Sequence, residues 1–74
     1  MGKDKKGNRY WEVPLGWNES TNDRIRITEI KKGNTIRFNK VDSNNKVYSG
    51  PEPTLEKIPE IIEILNQIYS ENLD

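Results

Sequence analysis

Arg24 and Arg26, Arg37 and Asn39, and Lys46 and Tyr48 form three pairs of residues spaced two apart. All but one of these six are cationic or aromatic. Guanidinium and ammonium groups contact phosphates, and aromatic rings stack on unpaired bases. These types on one surface suit single-stranded nucleic acid. Lys32, between the first two pairs, adds a cation. The bland alternative is a solvated sheet face on which arginine stems cover the strands. Glu12 is the one acid expected to oppose these cations on that face.

Composition excludes other chemistries. The chain has no cysteine and no histidine. It therefore has no disulfide, no thiolate metal site, no imidazole ligand and no histidine base for a catalytic triad. Asp42-Ser43-Asn44 resembles the opening of a calcium loop. Val47 stands where that loop needs glycine, and Pro53 where it needs glutamate. Asp23 and Glu29 form no pair with catalytic spacing. An enzyme, a metal site and a cofactor are therefore not expected. Asn18-Glu19-Ser20 fits a glycosylation acceptor, but no secretory signal precedes it and the match reads as chance. No apolar run approaches the roughly 20 residues of a membrane helix. The expectation is a cytoplasmic protein with no membrane partner.

The elements that must position the basic set follow from period. Apolar and polar residues alternate over 9–15, 24–31, 35–41 and 46–49, which predicts four antiparallel strands. Pro14 cannot donate to a ladder, so the first strand is an edge or ends there. Lys31-Lys32-Gly33-Asn34 and Asp42-Ser43-Asn44-Asn45 are turn sequences, and Gly33 can take positive φ. Gly50-Pro51-Glu52-Pro53 stops the sheet. Ile58, Ile61, Ile62, Leu65, Ile68 and Tyr69 recur at helical spacing, which predicts a helix over 58–71. Pro59 suits its first position, after a tight turn at 54–57; alternatively Thr54 caps a helix that bends at Pro59.

Turn length sets which side chains share a face. A two-residue turn at Lys32-Gly33 or at Gly33-Asn34 gives one assignment, and a two- or four-residue turn over 42–45 extends it. One face then carries Trp11, Val13, Leu15, Ile25, Ile27, Ile36, Phe38 and Val47. The other carries Arg24, Arg26, Arg37, Asn39, Lys46 and Tyr48. A three-residue loop in either hairpin would flip part of this. Trp11 follows the apolar parity, and Trp17, in the loop over 16–23, is left open. The expected fold is α+β, a four-stranded antiparallel sheet with the C-terminal helix packed on its apolar face (ββββα). Residues 1–8 are expected to form a flexible basic tail and 9–74 a single domain.

Net charge is zero, but residues 1–50 hold 11 Lys/Arg against 6 Asp/Glu, and 51–74 hold one Lys against 6. Such asymmetry points to a polyanionic partner for the first part. Only 31% of residues are apolar, which leaves a lean core, and the helix is apolar around half its circumference. A second copy is therefore expected, with Ile61, Ile64, Leu65 and Ile68 at the dimer interface.

The segment Ile58-Pro59-Glu60-Ile61-Ile62-Glu63-Ile64-Leu65, following strands that end at Gly50-Pro51-Glu52-Pro53, resembles the bacterial branch of one family. This is the positive-cofactor-four family of single-strand-binding transcriptional coactivators. Its members end in a sheet, a turn and a helix of the flavour Leu-Pro-Glu-Leu-Ile-Glu-Ala-Leu. The resemblance covers about residues 24–70. It implies a curved four-stranded sheet, a homodimer formed through the helix, and single-stranded DNA held by basic and aromatic residues during transcription or replication. The lysine- and glycine-rich fourth strand of the family is reduced here to Lys46-Val47-Tyr48-Ser49-Gly50. The competing expectation is a small protein-interaction or inhibitor protein of a mobile element that uses the same sheet or its edge.

Overall fold

The computed structural model describes residues 1–16 and 22–73. The described elements are β1 (Gly2–Lys3), β2 (Arg9–Pro14), β3 (Arg24–Ile30), β4 (Thr35–Val41), β5 (Val47–Tyr48), a 3-10 turn (Leu55–Lys57) and α1 (Ile58–Glu71). The strands pair in chain order as one antiparallel sheet, curled into a half-barrel. The fold is α+β, as alternation followed by helical spacing predicts, with five strands rather than four. The 16–23 loop and Trp17 fall largely outside the described residues.

The additional strand comes from the segment expected as a tail. Gly2 pairs with Tyr10 and Lys3 with Arg9. The turn between them is built by Asp4. Its Oδ1 accepts the amides of Lys6 and Asn8, each at 2.9 Å, and Gly7 takes φ +83°. The β4–β5 turn repeats this design. Asp42 Oδ1 accepts the amides of Asn44 and Lys46 at 2.9 Å, and Asn45 takes φ 65°. Both are three-residue loops closed by a residue in the left-handed region, a conformation that glycine and asparagine tolerate best. In the β3–β4 turn Asn34, not Gly33, has positive φ, at 54°.

β2, β3 and β4 hold the expected faces. Trp11, Ile27 and Phe38 lie in one row across the sheet, and Glu12, Arg26 and Asn39 in the next. β5 does not. The three-residue loop pairs Val41 with Val47 and Lys40 with Tyr48. Val47 therefore lies on the arginine side, and Lys46 and Tyr48 lie on the side of Phe38. This corrects the face expected for all three, because one residue of loop length inverts a strand.

A bulge at Ser49-Gly50 then shifts the register again. The carbonyls of Pro51 and Pro53 accept the amides of Phe38 and Ile36 at 3.0 Å, so the proline segment runs on along the edge of β4. Neither proline can return a bond to β4, and among the described residues no further strand pairs beyond this edge. Gly50 is required here, because a Cβ at this position would strike the Phe38 carbonyl.

The second correction concerns the core. Among the described residues only Val41, at 0% exposure, and Thr28, at 5%, are buried, and both lie on the arginine side. On the apolar side Ile25, Ile27 and Phe38 are half-buried, while Trp11 is 41% exposed and Val13 51%. The helix does not cover them. No residue of α1 is buried, and Ile64 and Ile68 stand more than half exposed. Ile61 lines an open cleft with Phe38, Pro51, Glu52 and Pro53 at the sheet edge, and the helix beyond it leaves the sheet open. The Cα radius of gyration is 13.8 Å, against about 11 Å for a compact chain of this length.

Candidate nucleic-acid interface

The arginine side is built from alternate residues of three strands, Tyr10 and Glu12, then Arg24 and Arg26, then Arg37 and Asn39. Its cations are engaged. Glu12 Oε2 lies 3.0 Å from both Arg24 Nε and the terminal nitrogen of Arg26. Arg37 Nε meets Glu52 Oε1 at 2.6 Å. Partial burial pushes the Glu12 carboxyl up, but bonds from Arg26 and Arg24 outweigh it and hold its pKa below the usual range. The Arg37 guanidinium and the Thr35 hydroxyl do the same for Glu52.

The members of the candidate set are thus not equivalent. Arg24 is 13% exposed and also donates to the Asn22 and Asp42 carbonyls and to Asn45 Oδ1, tying the β4–β5 turn to the sheet. Asn39 donates to the Tyr48 carbonyl at 2.9 Å and fastens the edge. Arg26 is more open, and its guanidinium lies 4.5 Å from the centre of the Tyr10 ring. Tyr10 in turn lies against Gly2, where any Cβ would collide with the ring. Arg37 is 45% exposed.

Lys46 and Tyr48 form a separate group on the opposite side. Lys40 and Lys46 place their ammonium groups 5.1 and 5.0 Å from the centre of the Tyr48 ring. The Tyr48 hydroxyl donates to Asp42 Oδ2 at 3.1 Å, which raises the phenol's pKa.

Lys32 lies at the far end of the sheet. The antiparallel order brings the β1–β2 and β3–β4 turns to the same end. Lys5, Lys6, Lys31 and Lys32 gather there, and none forms an ion pair with a described residue. Lys5, Lys6, Lys32 and Arg37 line a cleft of about 450 Å³ with Asp4, Asn8 and Ile30. Sequence reasoning missed Tyr10, Lys5 and Lys6. The signal was the Asp4-Lys5-Lys6-Gly7-Asn8 turn, whose aspartate and glycine spacing makes a hairpin out of an apparent tail.

No family model, curated protein or solved structure matches this chain. The family resemblance rests on the residues that carry it. Among the described residues no group of acidic side chains is arranged to hold a metal ion, and no helix is long and apolar enough to cross a membrane.

Proposed function

We propose that this protein is a homodimer that binds single-stranded nucleic acid along the arginine side of its sheet. The observation that carries the reading is the lysine end of that side. Three ammonium groups without carboxylate partners among the described residues, those of Lys5, Lys6 and Lys32, line a cleft with Arg37, and the Tyr10–Arg26 stack lies on the same side. Phosphates of a strand lying here meet lysines, and a base can stack on the Arg26 guanidinium plane that Tyr10 backs. The family resemblance favours the same partner.

The second copy is argued from area. The chain exposes 6107 Å², against roughly 4,700 Å² for a compact monomer of 8.7 kDa. The excess, roughly 1,400 Å², exceeds the ~800 Å² that each partner buries in an ordinary stable interface. Ile64, Leu65 and Ile68 supply the apolar surface, with Ile62 and Tyr69 beside them. Ile61 contributes from its edge, since it also lines the cleft beside its own sheet.

Anisotropy of labelled single-stranded and duplex oligonucleotides across a salt series tests the reading. The single strand should bind tighter, and log affinity should fall linearly with log salt, with a slope of about 0.7 per phosphate contacted. No single-strand binding at low salt would overturn it. A protein-interaction module is the second reading. It is favoured by Glu12 and Glu52, which engage all three arginines from within and cancel two of their three charges.

A further inference from the structure

We infer that the cleft between the β1–β2 and β3–β4 turns is a subsite for a phosphate monoester, the terminal phosphate of a bound strand. This rests on the single-strand reading and specifies which part of the strand the lysine end receives.

Three observations carry it. The first is charge. Lys5, Lys6, Lys32 and Arg37 line the cleft against the single carboxylate of Asp4. Glu52 cancels Arg37 from outside, at 2.6 Å. A surplus of two positive charges remains. A monoester carries about −1.5 to −2 at neutral pH, whereas an internal phosphodiester carries one charge and leaves half the surplus unmatched.

The second is that Asp4 is occupied by the turn. Its Oδ1 accepts the amides of Lys6 and Asn8 at 2.9 Å, and its Oδ2 accepts Asn8 Nδ2 at 3.3 Å. A carboxylate satisfied in this way shapes the wall and has little reason to turn toward the lysines. Gly7, at φ +83°, closes the loop that presents Lys5 and Lys6.

The third is size and lining. About 450 Å³ is several times what a phosphate group needs, and it leaves room for an attached sugar. Ile30 supplies an apolar wall for that sugar beside the charged groups. The cleft sits at the end of the arginine side, between the β1–β2 and β3–β4 turns.

The source of the monoester, a strand end or a free nucleotide, is separated by the experiment. Oligonucleotides carrying a 5′-phosphate, a 3′-phosphate or neither are compared by anisotropy, with uridine monophosphate as competitor. One phosphorylated form should bind about tenfold tighter than the unphosphorylated strand, the worth of one charge-assisted hydrogen bond. The triple variant K5A/K6A/K32A should bind both forms equally. These side chains are exposed, and a melting curve checks that the variant folds. If strands bind and all three forms bind alike, the subsite is overturned and the single-strand reading stands. If no strand binds, that reading falls, and amide shifts on titration with uridine monophosphate decide the cleft alone. Shifts at Lys6, Asn8 and Lys32 support a nucleotide subsite, and their absence overturns it.

Discussion

Arg37 Nε donates to Glu52 Oε1 at 2.6 Å, and Thr35 Oγ1 donates to the other oxygen of the same carboxylate at 2.7 Å. Glu52 belongs to the acidic final third of the chain. It reaches the basic sheet because the bulge at Ser49-Gly50 shifts the register by one residue along the edge of β4. The pair is solvent-accessible, with side chains 45% and 36% exposed, so its worth to stability is small. Its effect on the charge available to a polyanion is larger, because it takes one of three arginines out of play.

Removing the internal acids should therefore strengthen binding. Glu52→Gln frees Arg37, and Glu12→Gln frees Arg26, without disturbing the strands. Each variant should bind a labelled single strand more tightly and steepen the salt slope by about one. Arg26→Ala should flatten it by a similar amount. If the double variant E12Q/E52Q binds no more tightly than the wild type, the arginine side is not the contact surface.

Gly50→Ala should destabilise the protein by about 1–3 kcal/mol, the range for atoms forced into a filled space. The clash is with backbone, the Phe38 carbonyl, which has no rotamer to retreat into. Thermal melting measures the loss. Faster hydrogen exchange at the Phe38 and Ile36 amides would locate it at this edge. An unchanged melting temperature would mean that the bulge is not as described.

Acid should unfold the protein earlier than its apolar content suggests. Asp42 is held below its ordinary value, first by the Lys46 amide and then, against the opposing effect of burial, by the Asn44 amide and the Tyr48 hydroxyl. Asp4, Glu12, Glu29 and Glu52 are lowered as well. Carboxyls with a depressed folded pKa stabilise the fold fully above their unfolded value, and the contribution is lost as pH falls through the folded value. Melting temperature should be flat near neutrality and decline below about the ordinary glutamate pKa of 4.5. Asp42→Asn should make that decline shallower, and an identical profile would dismiss Asp42 as a contributor.

Sedimentation at tens of micromolar should find twice the chain mass. Ile64→Glu should split the assembly, since Ile64 is 56% exposed in the single chain and roughly 1.5–3 kcal/mol is at stake for each such side chain fully buried. The sheet should survive, because no residue of α1 is buried against it. A wild-type monomer at that concentration would defeat the dimer.

Local pattern alone determined the principal strands and the helix. Alternation placed Arg24–Ile30 and Thr35–Val41, and two candidate turns of different position gave the same faces, so Trp11, Ile27 and Phe38 share a face as expected. Pro59 and the spacing of Ile58, Ile61 and Leu65 marked the helix start and its stripe. Tertiary structure decided the rest. Lys46 and Tyr48 changed sides because a period of two is inverted by one residue of loop, and composition does not distinguish a loop of three from one of four. Glu52 came to Arg37 through a bulge that depends on how closely Gly50 can approach Phe38. Tyr10 found Gly2 only because a two-residue strand folded back on β2, too short for its alternation to be read. The helix stripe showed that an apolar surface must be buried, but not against what, because apolar burial has no direction of its own.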